Sequence, residues 1–102
     1  MRVEHYPVKK LKKEILEIVG KYLDLRSYRV FFFGSRVTES NSRRSDIDLG
    51  IEGPEEIPAR ISTEIRERLD NLPTLYRFDL VDFKKVTPEF KKEALKSIEY
   101  VN

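Results

Sequence analysis

The chain has 102 residues, of which 39% are hydrophobic and 37% charged, with 20 Lys and Arg against 18 Asp and Glu for a net charge of +2; this is enough apolar material for one domain with one core. The absence of cysteine excludes a disulfide framework and any thiolate metal site, and the near-balanced charge gives no reason to expect direct nucleic-acid binding. No apolar run approaches the roughly 18 residues of a membrane span, and the first residues lack the apolar centre of a secretory signal, so a single soluble, cytoplasmic domain over residues 1–102 is expected.

Residues 8–25 place Val8, Leu11, Ile15, Ile18, Val19 and Tyr22 at three- and four-residue steps between lysines and glutamates, the pattern of an amphipathic helix. The Lys9 to Lys13 cluster occupies the polar face of that helix and reads as solvated. Residues 28–33 are, Arg29 aside, β-branched and aromatic up to Gly34, as in a strand buried on both faces. Residues 35–45 are polar, rich in Ser and Arg, and form a loop or a short helix followed by a loop.

Residues 46–51 alternate strictly. Asp46, Asp48 and Gly50 share one face, and Ile47, Leu49 and Ile51 the other, so one face is core and the other polar and open. Gly53 and Pro54 break this strand, and a second amphipathic helix carries Ile57, Ile61, Ile65, Leu69 and Leu72 until Pro73 ends it. Residues 76–83 form a third strand, and Thr87 followed by Pro88 caps a last helix that buries Phe90, Ala94, Leu95 and Ile98. Alternating helices and strands give an α/β layered fold. The connection over residues 35–45 is near the minimum length of a parallel crossover, which favours a mixed sheet packed by helices.

The chemistry is concentrated in residues 31–51. A glycine after a buried strand lets the backbone come close to a ligand, and free N–H groups at the start of a following helix attract phosphate; the Ser35 hydroxyl adds a donor. Asp46 and Asp48, two apart on one strand, set their carboxylates side by side, which is unfavourable unless a cation lies between them. With the only histidine, His5, in the N-terminal segment, carboxylates are the credible ligands, and they select hard cations such as Mg²⁺ or Mn²⁺. A pair of such ions serves phosphoryl and nucleotidyl transfer. A third carboxylate comes from Asp79 or Asp82, which are three apart on the third strand and so on opposite faces; only one of them joins the cluster.

Taken singly these features are ordinary. A Gly-Ser pair usually ends a strand, and alternating aspartates usually face solvent. Their joint spacing, Gly34-Ser35, ten residues, then Asp46-Ile47-Asp48, resembles the minimal nucleotidyltransferase (MNT) family of the DNA polymerase β superfamily, and the likeness extends over nearly the whole chain, including the run from Ser45 to Leu49 and the strand from Phe78 to Asp82. The resemblance implies a polymerase β-like nucleotidyltransferase fold and makes Asp79, rather than Asp82, the third metal ligand. It implies that Asp46 and Asp48 bind two Mg²⁺ ions, that Asp79 binds the catalytic one, and that Gly34, Ser35, Arg36 and Ser45 hold the ATP triphosphate.

Small members of that family are often antitoxins of HEPN/MNT toxin–antitoxin pairs, and the resemblance implies transfer of AMP from ATP to a tyrosine hydroxyl of a HEPN-type toxin. Arg43 and Arg44 fall where the family's loop varies, and a solvated role is expected for them. Two rival readings stand beside this one: an antitoxin that masks its toxin without turnover, and a small-molecule nucleotidyltransferase whose acceptor pocket is built across a homo-oligomer.

Overall fold

The structure, a computed structural model, describes residues 7–34, 46–74 and 76–102. The elements run α1 (Val8–Val19), β1 (Arg29–Phe33), β2 (Asp46–Glu52), α2 (Ala59–Asp70), β3 (Arg77–Asp82), α3 (Pro88–Ala94) and β4 (Ile98–Tyr100). The four strands form one sheet in the order β3-β2-β1-β4. β1 is antiparallel to β2 and to β4, whereas β2 and β3 are parallel, with α2 as their crossover. The sheet is mixed, as the short connection between β1 and β2 predicts.

One face of the sheet carries Val30 and Phe32 from β1, Ile47, Leu49 and Ile51 from β2, and Phe78 and Leu80 from β3. Leu11, Ile15 and Val19 of α1 and Ile65 and Leu69 of α2 close over them, which is why both helices show one apolar stripe. The opposite face holds a smaller core of Phe31, Phe33 and Phe83, flanked by Val81, Val86, Ala94 and Ile98. Gly50 lies beneath these rings: a Cβ there would come within 2.5 Å of Phe31 and 2.7 Å of Phe83. The polar face of β2 is therefore open at Asp46 and Asp48 but roofed by phenylalanine at Gly50, a correction to the expectation of an open face throughout.

Helix limits differ from the periodicity in instructive ways. α1 stops at Val19, and the chain beyond Gly20 tightens into turns through Lys21 N–H to Ile18 O (3.2 Å) and Tyr22 N–H to Val19 O (3.0 Å); glycine is a poor helix former, yet Leu23 and Leu25 still pack on the core. α2 begins only after Pro58, because proline holds the preceding residue extended. Ile57 is buried all the same, as a loop residue rather than a helical one.

The largest departure is at the C-terminus. α3 is capped by Thr87, whose hydroxyl accepts Phe90 N–H at 3.1 Å, but it ends at Ala94, and Phe90 (44% exposed) and Leu95 (38%) are not buried. Ile98, expected as a helical core residue, instead starts β4 and pairs with Phe33. An unpaired edge on the buried strand β1 would leave backbone groups without partners, and β4 supplies them. Among the described residues no helix is long and apolar enough to cross a membrane.

Candidate active site

β1 ends, and β2 and β3 begin, at the same end of the sheet, and Gly34, Asp46, Asp48 and Asp79 lie there. The register aligns Phe33 with Asp48 and Asp48 with Asp79, and residues directly opposite share a face. Asp46, two positions before Asp48, shares that face and is aligned with Arg77. Asp46 and Asp79 are exposed and Asp48 is half-buried.

The same register aligns Asp82 with Ile51, on the opposite face. Its carboxylate accepts Ile57 N–H at 2.8 Å and Lys84 N–H at 2.9 Å, which fixes the turn after β3 and the segment leading into α2. Asp82 is a structural acceptor, and Asp79 the aspartate placed beside Asp48.

Gly34 follows β1 with φ +86°, a left-handed conformation that costs glycine little and other residues much. A Cβ on Gly34 would collide with Oδ2 of Asp48. The glycine thus answers two demands, a sharp exit from the strand and room for a carboxylate against the backbone. Ser35, Arg36 and Ser45, expected to hold triphosphate, lie outside the described residues, as do His5, Arg43 and Arg44.

The Asp48 carboxyl is pushed above its ordinary pKa, first by burial and then by the charges of Asp79 and Asp46. Among the described residues no three Asp, Glu or His side chains converge tightly enough to form a metal cage as they stand. The donors nonetheless suit a hard divalent cation: all are carboxylate oxygens, and the charge that raises the Asp48 pKa is the charge a cation would neutralise.

A cleft of 510 Å³ opens from Gly34 and Asp48 toward the junction of α3 and β4, bordered by Phe33, Phe90, Lys96 and Ser97. Sequence periodicity did not find this wall, because it assigned Phe90 to a buried helix face.

The chain is similar to known proteins in both family and shape. The family model for polymerase beta nucleotidyltransferases matches residues 13–101, and no curated protein matches closely. Among solved structures, a chain from a toxin–antitoxin complex with AMP-PNP aligns at TM-score 0.73 and 16% identity, covering 89% of this chain and 72% of that one. A chain from the complex of the tri-AMPylated Shewanella oneidensis HEPN toxin with MNT antitoxin aligns at TM-score 0.70 and 16% identity, covering 92% and 71%. A further Shewanella oneidensis protein gives TM-score 0.68 at 16% identity, covering 97% and 72%. At such identities the likeness is one of fold, and it agrees with the mixed sheet packed by helices. With most of its length matched by the family model, the chain belongs to the polymerase beta nucleotidyltransferase family.

Proposed function

We propose that this domain is a divalent-metal-dependent adenylyltransferase that moves AMP from ATP to a hydroxyl, most simply a tyrosine, of a partner protein of the HEPN toxin type. The observation that carries the reading is the parallel register of Asp48 with Asp79, with Gly34 packed against Asp48. In that register Asp46, Asp48 and Asp79 share one face of the sheet, with the Gly34 backbone against Asp48, which supports carboxylates as the holders of a divalent cation beside the triphosphate. Complexes of similar fold contain AMP-PNP in one case and an AMPylated toxin in another, which supports the choice of nucleotide and of acceptor.

In this reading Asp46 and Asp48 would hold two divalent cations and Asp79 the catalytic one; such ions, when bound, would neutralise the triphosphate and lower the pKa of the attacking hydroxyl. Gly34, which also gives the Asp48 carboxylate its place against the backbone, would hold the triphosphate together with Ser35, Arg36 and Ser45. The acceptor oxygen bonds to the α-phosphorus, the bond from that phosphorus to the β-bridging oxygen breaks, and pyrophosphate leaves. Asp79, exposed on the edge strand β3, would also take the hydroxyl proton, which requires only hydrogen-bond reach and a suitable pKa.

The experiment is label transfer from α-³²P-ATP to the protein encoded beside this chain, run with Mg²⁺ and with EDTA, and repeated with the double variant Asp46→Asn, Asp48→Asn. Transfer should require Mg²⁺ and both aspartates. The double variant should still co-purify with the partner yet fail to protect cells from it. Full protection by the folded double variant would defeat enzymatic action in favour of masking.

A further inference from the structure

We infer that the cleft between Gly34 and the α3–β4 junction is the nucleoside subsite, and that Phe90 is the ring on which the base stacks; this rests on the nucleotidyl-transfer reading above. The cleft begins at Gly34 and Asp48, where the triphosphate end of a nucleotide would lie. Its 510 Å³ falls within the roughly 300–1,000 Å³ of ordinary small-ligand sites. A nucleotide anchored by its phosphates at Asp48 has its sugar and base left to place, and this concavity is continuous with the anchor.

Phe90 is suited to the base for a reason visible in its packing. Behind it, Phe33 meets its ring at 6.0 Å and 81° and Phe83 at 5.9 Å and 57°, and both of those are buried. The ring is thereby backed by buried aromatic side chains while 44% of the residue stays exposed. One exposed phenylalanine is unremarkable on a protein surface; one backed by buried rings at the wall of a cleft that opens from Asp48 gives a base an aromatic side chain to stack on at little entropic cost. On the same wall, Lys96 and Ser97 bring an ammonium and a hydroxyl within the reach of ribose or α-phosphate oxygens. The present partner of Lys96 is Glu93 at 3.1 Å, both largely exposed, and such a pair is weak enough to exchange for a ligand.

The test compares Mg-ATP with Mg-tripolyphosphate by calorimetry on the whole chain and its Phe90→Ala, Phe90→Leu and Phe90→Trp variants. Stacking of one base predicts that Phe90→Ala weakens ATP binding about 5- to 150-fold, with tripolyphosphate affinity unchanged within about twofold, the scatter expected of an uninvolved side chain. Phe90→Leu, which keeps apolar bulk on Phe33 and Phe83, should lose ATP affinity like the alanine variant, and Phe90→Trp should keep it. Unaltered ATP binding by Phe90→Ala would overturn the assignment and place the base elsewhere. Equal losses for ATP and tripolyphosphate would also overturn it, by making Phe90 a packing residue only. A wild-type chain that binds tripolyphosphate as tightly as ATP has no nucleoside subsite, whereas one that binds neither refutes the nucleotidyl-transfer reading itself.

Discussion

Replacing Asp48 by asparagine should stabilise the metal-free protein, and the size of the effect can be worked from the sheet. Asp79 sits beside Asp48 across the β2–β3 ladder and Asp46 two residues along β2, at separations of about 5 Å and about 7 Å by strand geometry. In a water-like dielectric each repulsion is about 0.6–0.8 kcal/mol, and salt screening brings the sum to about 1 kcal/mol. Burial, the larger cause of the raised Asp48 pKa, adds to this. Because the folded state holds the proton more tightly than the unfolded chain, the wild type loses stability as the pH rises from the ordinary aspartate range through the raised folded value. Asp48→Asn escapes that loss. In EDTA at neutral pH it should melt about 4–8 °C higher than wild type, the shift about 1 kcal/mol produces in a domain of this size, and the gap should close below about pH 3, where both states are protonated. Adding Mg²⁺ should then raise the wild-type melting temperature more than that of the variant, since binding to the folded state stabilises it by mass action. A variant that melts at or below wild type at neutral pH, or a gap that persists in acid, would refute the placement of Asp48 among like charges.

The two aspartates of β3 should separate cleanly. Asp79→Asn should reduce label transfer by at least about 100-fold, as expected for loss of a ligand to the catalytic ion, with the melting temperature little changed. Asp82→Asn, which weakens the acceptor of the Ile57 and Lys84 N–H groups, should cost about 1–2 kcal/mol of stability yet keep transfer per folded molecule; a chevron or melt for stability and the label assay for activity check both. Gly34→Ala, forced into φ +86° and against the Asp48 carboxylate, should lose about 1–3 kcal/mol and bind Mg-ATP more weakly in calorimetry. Asn102→Ala should cost about 1–3 kcal/mol in denaturant unfolding, because the Asn102 amide accepts Val30 N–H at 2.8 Å and donates to Tyr28 O at 2.9 Å.

Much of this molecule follows from local pattern. The apolar stripes of residues 8–25 and 57–72 specify two helices that must bury one side, and the run of aromatic and β-branched residues ending at Gly34 specifies a strand covered on both faces. The alternation from Asp46 to Ile51 divides aspartates from isoleucine and leucine by period two alone, so the side-by-side carboxylates are legible without coordinates. The parity of Asp79 and Asp82 is likewise a local fact, although it says only that they face opposite ways.

Which of the two stands beside Asp48 is a matter of register, and register is set by long-range pairing between β2 and β3 that no short window contains. The C-terminus shows the same limit more sharply. Phe90, Ala94, Leu95 and Ile98 fit a helical stripe as well as they fit a helix followed by a strand, since a short apolar pattern does not distinguish the two. The free edge of β1 resolves the ambiguity by hydrogen-bonding Ile98–Tyr100 as β4. That pairing ends α3 early, leaves Phe90 exposed and so builds the wall of the cleft. Local periodicity determined the elements and the carboxylate pair; the unsatisfied backbone of a distant strand decided where the residues after α3 go, because a buried N–H or C=O must find a partner wherever the chain can supply one.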